Sequence, residues 1–407
     1  MRVLIVGVGT RGDVAPYTGL GARLRDAGHE VAIACHQAYG PLVTGAGLEH
    51  RVIAGDPLAL LSAGKGGARV SLAAKAAMFA QYGRQVADGI VEAAGKGADI
   101  LLLNVPASAG YHVAEAMGVP SMGVHLQPVE PTGDFPPVVS AWGASLGRRG
   151  NRTVARLGFA VPSPAHAGSA KALRARLGLA PMSSRAVYRR RESERWPVLH
   201  GFSPRVLPRP SDWREGLEVV GYWWPQRPPG WAGGEVLTDF LESGPPPVFV
   251  GFGSQAAGMA ERLTEVAVRA LRLAGLRGVL QTGVPGVLAD DVLGVGEVPH
   301  DWLFPRMAAV AHHCGSGTTG AGLAAGVPSV ALPAVRDQRL WGARLAALGV
   351  TPDVIPFRSL TAERLGAALA SAVSEGSYRS RARELAAALA DEDGAAAVVE
   401  AVKRAGR

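Results

Sequence analysis

Short apolar runs alternate with longer stretches of helical periodicity near the start of the chain. Arg2–Val8 reads as a buried strand. Pro16–Ala27 reads as a helix, with Pro16 near its start and Gly28 just past its end. Glu30–Cys35 is a second strand, and Ser71–Ala94 is helical. Asp99–Asn104 is a strand, Ala109–Met117 a helix stopped by Gly118, and Pro120–His125 a further strand. Strand, helix and strand repeated in this way predict right-handed crossovers and a parallel sheet.

From about Gln127 to Pro210 the alternation breaks, and proline, arginine and serine accumulate. That composition predicts irregular loops and helices. Phe202–Trp213 carries Pro204, Pro208 and Pro210 and reads as a linker. The alternation then resumes. Strands are expected at Val248–Phe252, Gly278–Gln281, Val295–Val298, Ala308–His312 and Val327–Leu332. Helices are expected at Ala260–Ala274, Thr319–Ala325, Gln338–Leu348, Leu360–Val373, Tyr378–Leu389 and Ala395–Arg404. The prediction is an α/β chain of two Rossmann-like, doubly wound parallel-sheet domains. The first covers 1–203, a linker covers 204–216, the second covers 217–390, and a last helix lies in 391–407. Two such domains facing a central cleft bring the carboxyl ends of both sheets to it, where open α/β sheets bind ligands.

Composition narrows the class. A chain of 407 residues that is 48% hydrophobic and 19% charged is not a disordered one. No apolar run reaches the roughly 18 residues of a membrane span. The apolar N-terminus meets Arg11 and Asp13 too soon for a signal peptide. Cys35 and Cys314 lie far apart, so they suggest neither a metal site nor a disulfide framework, and a reducing cytoplasm is the simplest home. The net charge is +8, and lysine occurs only at Lys65, Lys75, Lys96, Lys171 and Lys403. Arginine dominance of this kind fits GC-rich coding. The densest patch, Arg185, Arg189, Arg190, Arg191 and Arg195, is broken by Glu192 and Glu194. It reads as a solvated helix face or linker. Tyr188 and Trp196 alone make a thin stacking platform, so no nucleic-acid partner is expected.

Two strand-to-helix turns carry the chemistry. Gly7-Val8-Gly9-Thr10-Arg11-Gly12 fits the dinucleotide pattern G-x-G-x-x-G. Cys35, His36 and Gln37 stand where the ribose-binding acid belongs, and Asp13 would oppose a pyrophosphate. Asp13 itself reads two ways: as an acid stabilised at a helix N-terminus, or as a general base for a hydroxyl. The second turn is His312-His313-Cys314-Gly315-Ser316-Gly317-Thr318-Thr319. Its glycines permit close approach, its helix offers free N–H groups, Thr318 and Thr319 offer hydroxyls, and His313 adds a donor, positively charged if protonated. That is an anion site suited to a diphosphate, or else an ordinary tight turn. It lacks the P-loop lysine, so a Mg²⁺-dependent ATPase is not expected. Asp337 and Gln338 open a helix after the next strand and suit sugar hydroxyls, with an N-cap as the alternative for Asp337. Trp302, in Val298-Pro299-His300-Asp301-Trp302-Leu303-Phe304, either stacks on a base or belongs to the core.

Taken together, Val298–Val350 resembles the nucleotide-sugar signature of family 1 glycosyltransferases. Gly9-Thr10-Arg11-Gly12-Asp13-Val14-Ala15-Pro16 resembles the opening of bacterial antibiotic glycosyltransferases and of sterol glucosyltransferases. Gly221-Tyr222-Trp223-Trp224 and Val250-Gly251-Phe252-Gly253-Ser254 are similar to segments of the same group. The resemblance implies a GT-B fold, with acceptor in the first domain, sugar nucleotide mainly in the second, and the last helix crossing back to the first. It implies inverting transfer from a dTDP- or UDP-sugar to a small natural product, without metal or cofactor. Asp13 then matches the base. His313, Gly315, Ser316, Gly317, Thr318 and Ser254 match the diphosphate site, Asp337 and Gln338 the sugar site, and Trp302 and Val298 border the base. Arg11, Gly12, His125 and Gln127 fall in the acceptor region, where His125 is either a contact or a strand-end histidine.

The expected partners are a small acceptor and a sugar nucleotide, with no integral membrane association, in a monomer or homodimer. Alternatives are a sterol or lipid glucosyltransferase, a sugar-nucleotide epimerase, a nicotinamide-dependent reductase and a non-catalytic sugar-nucleotide binder.

Overall fold

The computed structural model describes residues 1–62, 71–138, 145–160, 164–256, 258–335 and 337–406, apart from the side chains of 61, 62, 72, 160, 164–167 and 255. The chain forms two compact units. The first comprises Met1–Pro204, Pro208–Pro229 and Asp393–Arg407; the second comprises Arg205–Leu207 and Gly230–Glu392.

The first unit holds strands β1 (Arg2–Val6), β2 (Glu30–His36), β3 (Glu49–Ile53), β4 (Ile100–Leu103), β5 (Ser121–His125), β6 (Val198–His200) and β7 (Leu217–Val219). They form one seven-stranded sheet in the order β3-β2-β1-β4-β5-β6-β7. Every pairing is parallel. The winding reverses between β1 and β4, so the crevice beyond their carboxyl ends is the switch point.

Val3 and Ile5 of β1 pack with Tyr17, Leu20 and Leu24 of helix Arg11–Asp26. Val398 and Val402 of helix Gly394–Ala405 enter the same core. Trp223 Nε1 donates to the Gly394 carbonyl at 3.0 Å. The last helix is thus part of the first unit.

Three strands of this unit lie outside the sequence expectation. β3 was hidden because Glu49, His50 and Arg51 break its apolar pattern. Arg51 is nevertheless buried, donating to the Ala93 and Gly97 carbonyls at 2.9 and 2.8 Å and pairing with Glu49. β6 and β7 are only three residues long and stand among prolines and arginines. β7 corrects the expected linker at 204–216 and the expected start of the second domain at 217. Pairing with β6 draws 208–229 into the first unit.

The second unit holds β8 (Val248–Gly251), β9 (Gly278–Gln281), β10 (Gly286–Ala289), β11 (Val292–Gly294), β12 (Ala309–His312) and β13 (Ser329–Ala331). Their order is β10-β11-β9-β8-β12-β13. All pairs are parallel except the β10–β11 hairpin. Val248 and Val250 face one core and Phe249 the other, which is the pattern of a sheet covered on both sides. The winding reverses between β8 and β12. The strand expected at Val295–Val298 is instead β11, three residues earlier: Val295 and Val298 are buried, but against Leu303 and Phe304 rather than along a strand.

Candidate functional site

The first switch point is built around Asp13. Helix Arg11–Asp26 starts well before Pro16 because Asp13 stabilises its N-terminus: Oδ2 accepts from the Thr10 backbone N–H at 2.9 Å and from the Thr10 hydroxyl at 3.2 Å. Gly9 has φ +132°, and a Cβ there would lie 2.4 Å from Asp13 Oδ2. The glycine of the apparent dinucleotide pattern therefore makes room for this carboxylate.

Asn104, just past β4, fixes the turn. Its Nδ2 donates to the Val8 carbonyl at 2.8 Å, and its Oδ1 accepts from the Val8 N–H at 3.3 Å. A polar residue closing the apolar run Ile100–Leu103 was the available signal. Asp13 Oδ1 accepts from Gln127 Nε2 at 3.4 Å, so two residues from opposite sides of the switch point meet. Arg11 and Asp13 are half-buried and Gly12 is exposed. Pro16 has no N–H to offer the Gly12 carbonyl, which leaves that oxygen outside the helical ladder.

His125 ends β5 and is buried. It is an interior histidine, 3.9 Å from Glu130 and edge-on to His200 at 5.7 Å. Burial pushes its pKa well below the usual histidine value, so the ring is neutral. Glu130 is itself buried, with Arg191 Nη2 at 3.5 Å. The Arg191 guanidinium covers Trp196 at 4.0 Å. Arg190 joins Glu115 and Glu194, each at 2.7 Å. The arginine cluster is therefore not wholly a solvated face: Arg190 and Arg191 are structural, while Arg185 and Arg189 are exposed.

The second switch point is the His312–Thr318 turn. Cys314 has φ +61°, a left-handed conformation unusual for a side chain with a Cβ. His312 holds it there, its Nδ1 accepting from the Cys314 N–H at 3.1 Å. Burial lowers the His312 pKa to about 3, so it stays a neutral acceptor. Paired histidines before Cys-Gly were the sequence signal for this brace.

The His313 ring lies against two glycines. A Cβ on Gly253 would come 2.5 Å from its Cε1, and one on Gly315 would come 2.7 Å from its Nε2. Burial brings His313 down to about 4. It is therefore a neutral donor at neutral pH.

Helix Ser316–Ala324 begins at Gly315 with no acid in its first turn. Gly317 is exposed with open space around it, and Thr318 is half-buried. Ser254 lies in the short helix Gly253–Ala256 at the end of β8, beside the same crevice. After β13, Gln338 Oε1 accepts from the N–H groups of Ala334 and Val335 at 2.9 and 3.0 Å. Asp337 Oδ2 accepts from Trp341 Nε1 at 3.1 Å. Trp302 is half-buried: Arg306 covers one face at 4.2 Å and Trp231 meets it edge-on at 5.3 Å. The Val298 side chain is core.

These two glycine turns have counterparts in known proteins. Residues 3–132 match the glycosyltransferase family 28 N-terminal domain, and residues 281–404 match the erythromycin biosynthesis protein CIII-like C-terminal domain. The chain is 36% identical to O-mycaminosyltylonolide 6-deoxyallosyltransferase of Streptomyces fradiae, over 97% of this chain and 95% of that one. The chain belongs to this glycosyltransferase family. The glycosyltransferase is also 31% identical to a sterol 3-beta-glucosyltransferase of Arabidopsis thaliana, over 99% of its own length and 68% of the relative. Among solved structures, the kitacinnamycin glycotransferase matches with a TM-score of 0.73 at 20% identity, over 99% of this chain and 98% of that one. The glycosyltransferase VinC in complex with dTDP matches at 0.66 and 22%, over all of both chains. They share its GT-B fold of two parallel-sheet domains. The protein is thus a sugar-transferring enzyme. Among the described residues, no helix is long and apolar enough to cross a membrane.

Proposed function

We propose that this glycosyltransferase moves a sugar from a dTDP- or UDP-sugar to a hydroxyl of a small natural product, with inversion and without a metal or cofactor. The observation that carries the reading is the likeness to the Streptomyces fradiae transferase, which runs through both units. The dTDP in the VinC structure supports the donor class.

In this mechanism Asp13 takes the proton from the acceptor hydroxyl as its oxygen attacks the anomeric carbon. Oδ2 is occupied by the helix N-terminus, so Oδ1, steadied by Gln127, is the basic atom. The sugar leaves the diphosphate as the new glycosidic bond forms on the opposite face. Negative charge collects on that diphosphate. The open N–H groups at Ser316–Thr318, the Thr318 hydroxyl and the neutral His313 donor stabilise it. Ser254 borders the same crevice. Gln338 uses its carbonyl to shape the loop, leaving its amide N–H groups for sugar hydroxyls beside Asp337. Trp302 borders the nucleotide base.

Thermal stabilisation by UDP, dTDP, GDP, ADP, NAD and NADP, with and without chelator, tests the donor class. A shift with UDP or dTDP that survives chelation is expected. A shift with NAD or NADP alone would overturn the reading. The Arabidopsis relative favours a second acceptor class, sterols, and a product assay on phenolic, macrocyclic and sterol acceptors separates the two.

A further inference from the structure

Helix Gly147–Ala160 has two unlike faces. Asn151 and Ala155 are buried on one. The other carries Val154 and Leu157, which are 38% and 56% exposed, with Leu146 just before the helix at 48%. Successive 100° steps bring Leu146, Thr153 and Leu157 close to one line on this exposed face, with Arg149 and Arg156 along its edge and Val154 on the other side. The helix contains no carboxylate. Arg148 and Arg152, nearer the core, are engaged with Asp134 and Asp212. Arg149 makes no ion pair among the described residues.

A surface groove of about 610 Å³ adjoins this face, lined by Arg156, Leu157, Arg185, Tyr188 and Arg189 among others. Its one carboxylate among the described residues, Glu192, is already held by Arg214 at 2.8 Å. Arg156 lies against the Tyr188 hydroxyl. The patch is therefore apolar along its centre and cationic at its rim.

We infer that this face of helix Gly147–Ala160, with the groove beside it, docks the enzyme on an anionic lipid surface. An interfacial helix sinks leucine and valine to the acyl boundary and keeps its arginines at the level of the phosphates. A nucleic acid has no use for the apolar centre. Each arginine near an anionic leaflet strengthens binding about fivefold, and the term weakens as salt screens it. The attachment is peripheral and does not depend on which acceptor is used.

The test is co-sedimentation of the full chain with vesicles of phosphatidylcholine alone or with about a third phosphatidylglycerol. Three proteins are compared: the wild type, Leu157→Asp, and the double variant Arg149→Glu with Arg185→Glu. These exposed changes are expected to leave the melting temperature unchanged. Binding to the anionic vesicles at least about tenfold tighter than to the neutral ones is expected, weakening with salt and falling about tenfold or more in each variant. Equal binding to both vesicle types, no binding, or unchanged binding in both variants would overturn the inference. A face reserved for a second copy or an acidic protein would give the second of these results.

Discussion

The turn after β1 and the turn after β12 each lie where the winding of their sheet reverses, but on opposite sides of that point: β1 is the first strand of its sheet, and β12 lies across from the first strand of its own, β8. Both are glycine-rich and both start a helix. They differ at the third helical residue, which is Asp13 in one and Thr318 in the other. In the first, the carboxylate already accepts from the Thr10 N–H that leads into the helix, and an incoming anion would meet its charge. In the second, the N-terminus carries no acid and stays open to an anion. One backbone design thus yields a site suited to removing a proton and a site suited to receiving a diphosphate. The choice rests on one side chain and on glycines placed around it: Gly9 clears space for Asp13, while Gly253 and Gly315 clear space for His313.

The comparison breaks most sharply at Asp13. Asp13→Asn keeps a capping side chain and loses the base, so turnover should fall about 10²- to 10⁴-fold. The thermal shift caused by dTDP or UDP should survive. Loss of both, with an unchanged melting temperature, would mean that Asp13 serves the donor.

The reciprocal change, Thr318→Asp, gives the second turn the acid of the first. Donor affinity should fall about tenfold to hundredfold, from like charge facing the diphosphate. The free protein should become more stable by about 0.3–1 kcal/mol through the helix dipole. Nucleotide titration and urea unfolding measure the two effects on one sample, and their opposite signs distinguish charge from misfolding.

Asn104→Ala removes both hydrogen bonds that hold Val8. Stability should drop by about 2 kcal/mol. Turnover should fall while the nucleotide shift persists, because Asn104 positions only the first turn.

The smallest effect is a matter of pH. His200 and His312 are held near 3 and His313 near 4, all below the unfolded value, so the unfolded chain binds more protons in acid. Their contribution is complete above about pH 6.5 and is lost as pH falls from there toward 3. Each such histidine lowers the folding constant by about tenfold per pH unit in that window. Urea midpoints at pH 7 and pH 5 check this, and His200→Phe should reduce the slope by about one proton. Binding of a nucleotide sugar, whose diphosphate has no proton to lose in that range, should stay flat between pH 6 and 8, since His313 remains neutral throughout.

Much of this was legible in the sequence where residue pattern and local physics agree. Helices Ala109–Met117 and Ala260–Ala274 and strand Gly278–Gln281 fall where their periodicity and terminal glycines place them. The two turns were legible as glycine motifs. What their residues touch was not, because Asn104 meets Val8, and Gln127 meets Asp13, only through the order of strands in the sheet. Local pattern also failed where polar groups are satisfied inside the protein. Arg51 sits in a strand because the Ala93 and Gly97 carbonyls receive its charge. Arg191 leaves the solvent because Trp196, at the end of the same cluster, takes its guanidinium and because Glu130, remote in sequence, faces it; only the first partner was in view in the cluster itself.

The helix Gly394–Ala405 has a consequence for how the molecule is made. Ala395, Val398, Val399, Ala401 and Val402 complete a core whose other buried members are already synthesised by Trp223, yet the whole of Gly230–Glu392 leaves the ribosome in between. At ordinary rates of synthesis that delay is roughly ten to thirty seconds. For that time the nascent first unit carries an uncovered apolar groove along helix Arg11–Asp26, while the second unit can close its own core without help. The unit that begins first is therefore finished last, and the growing chain depends on its own final helix, or on a chaperone standing in for it, to keep that groove from sticking elsewhere.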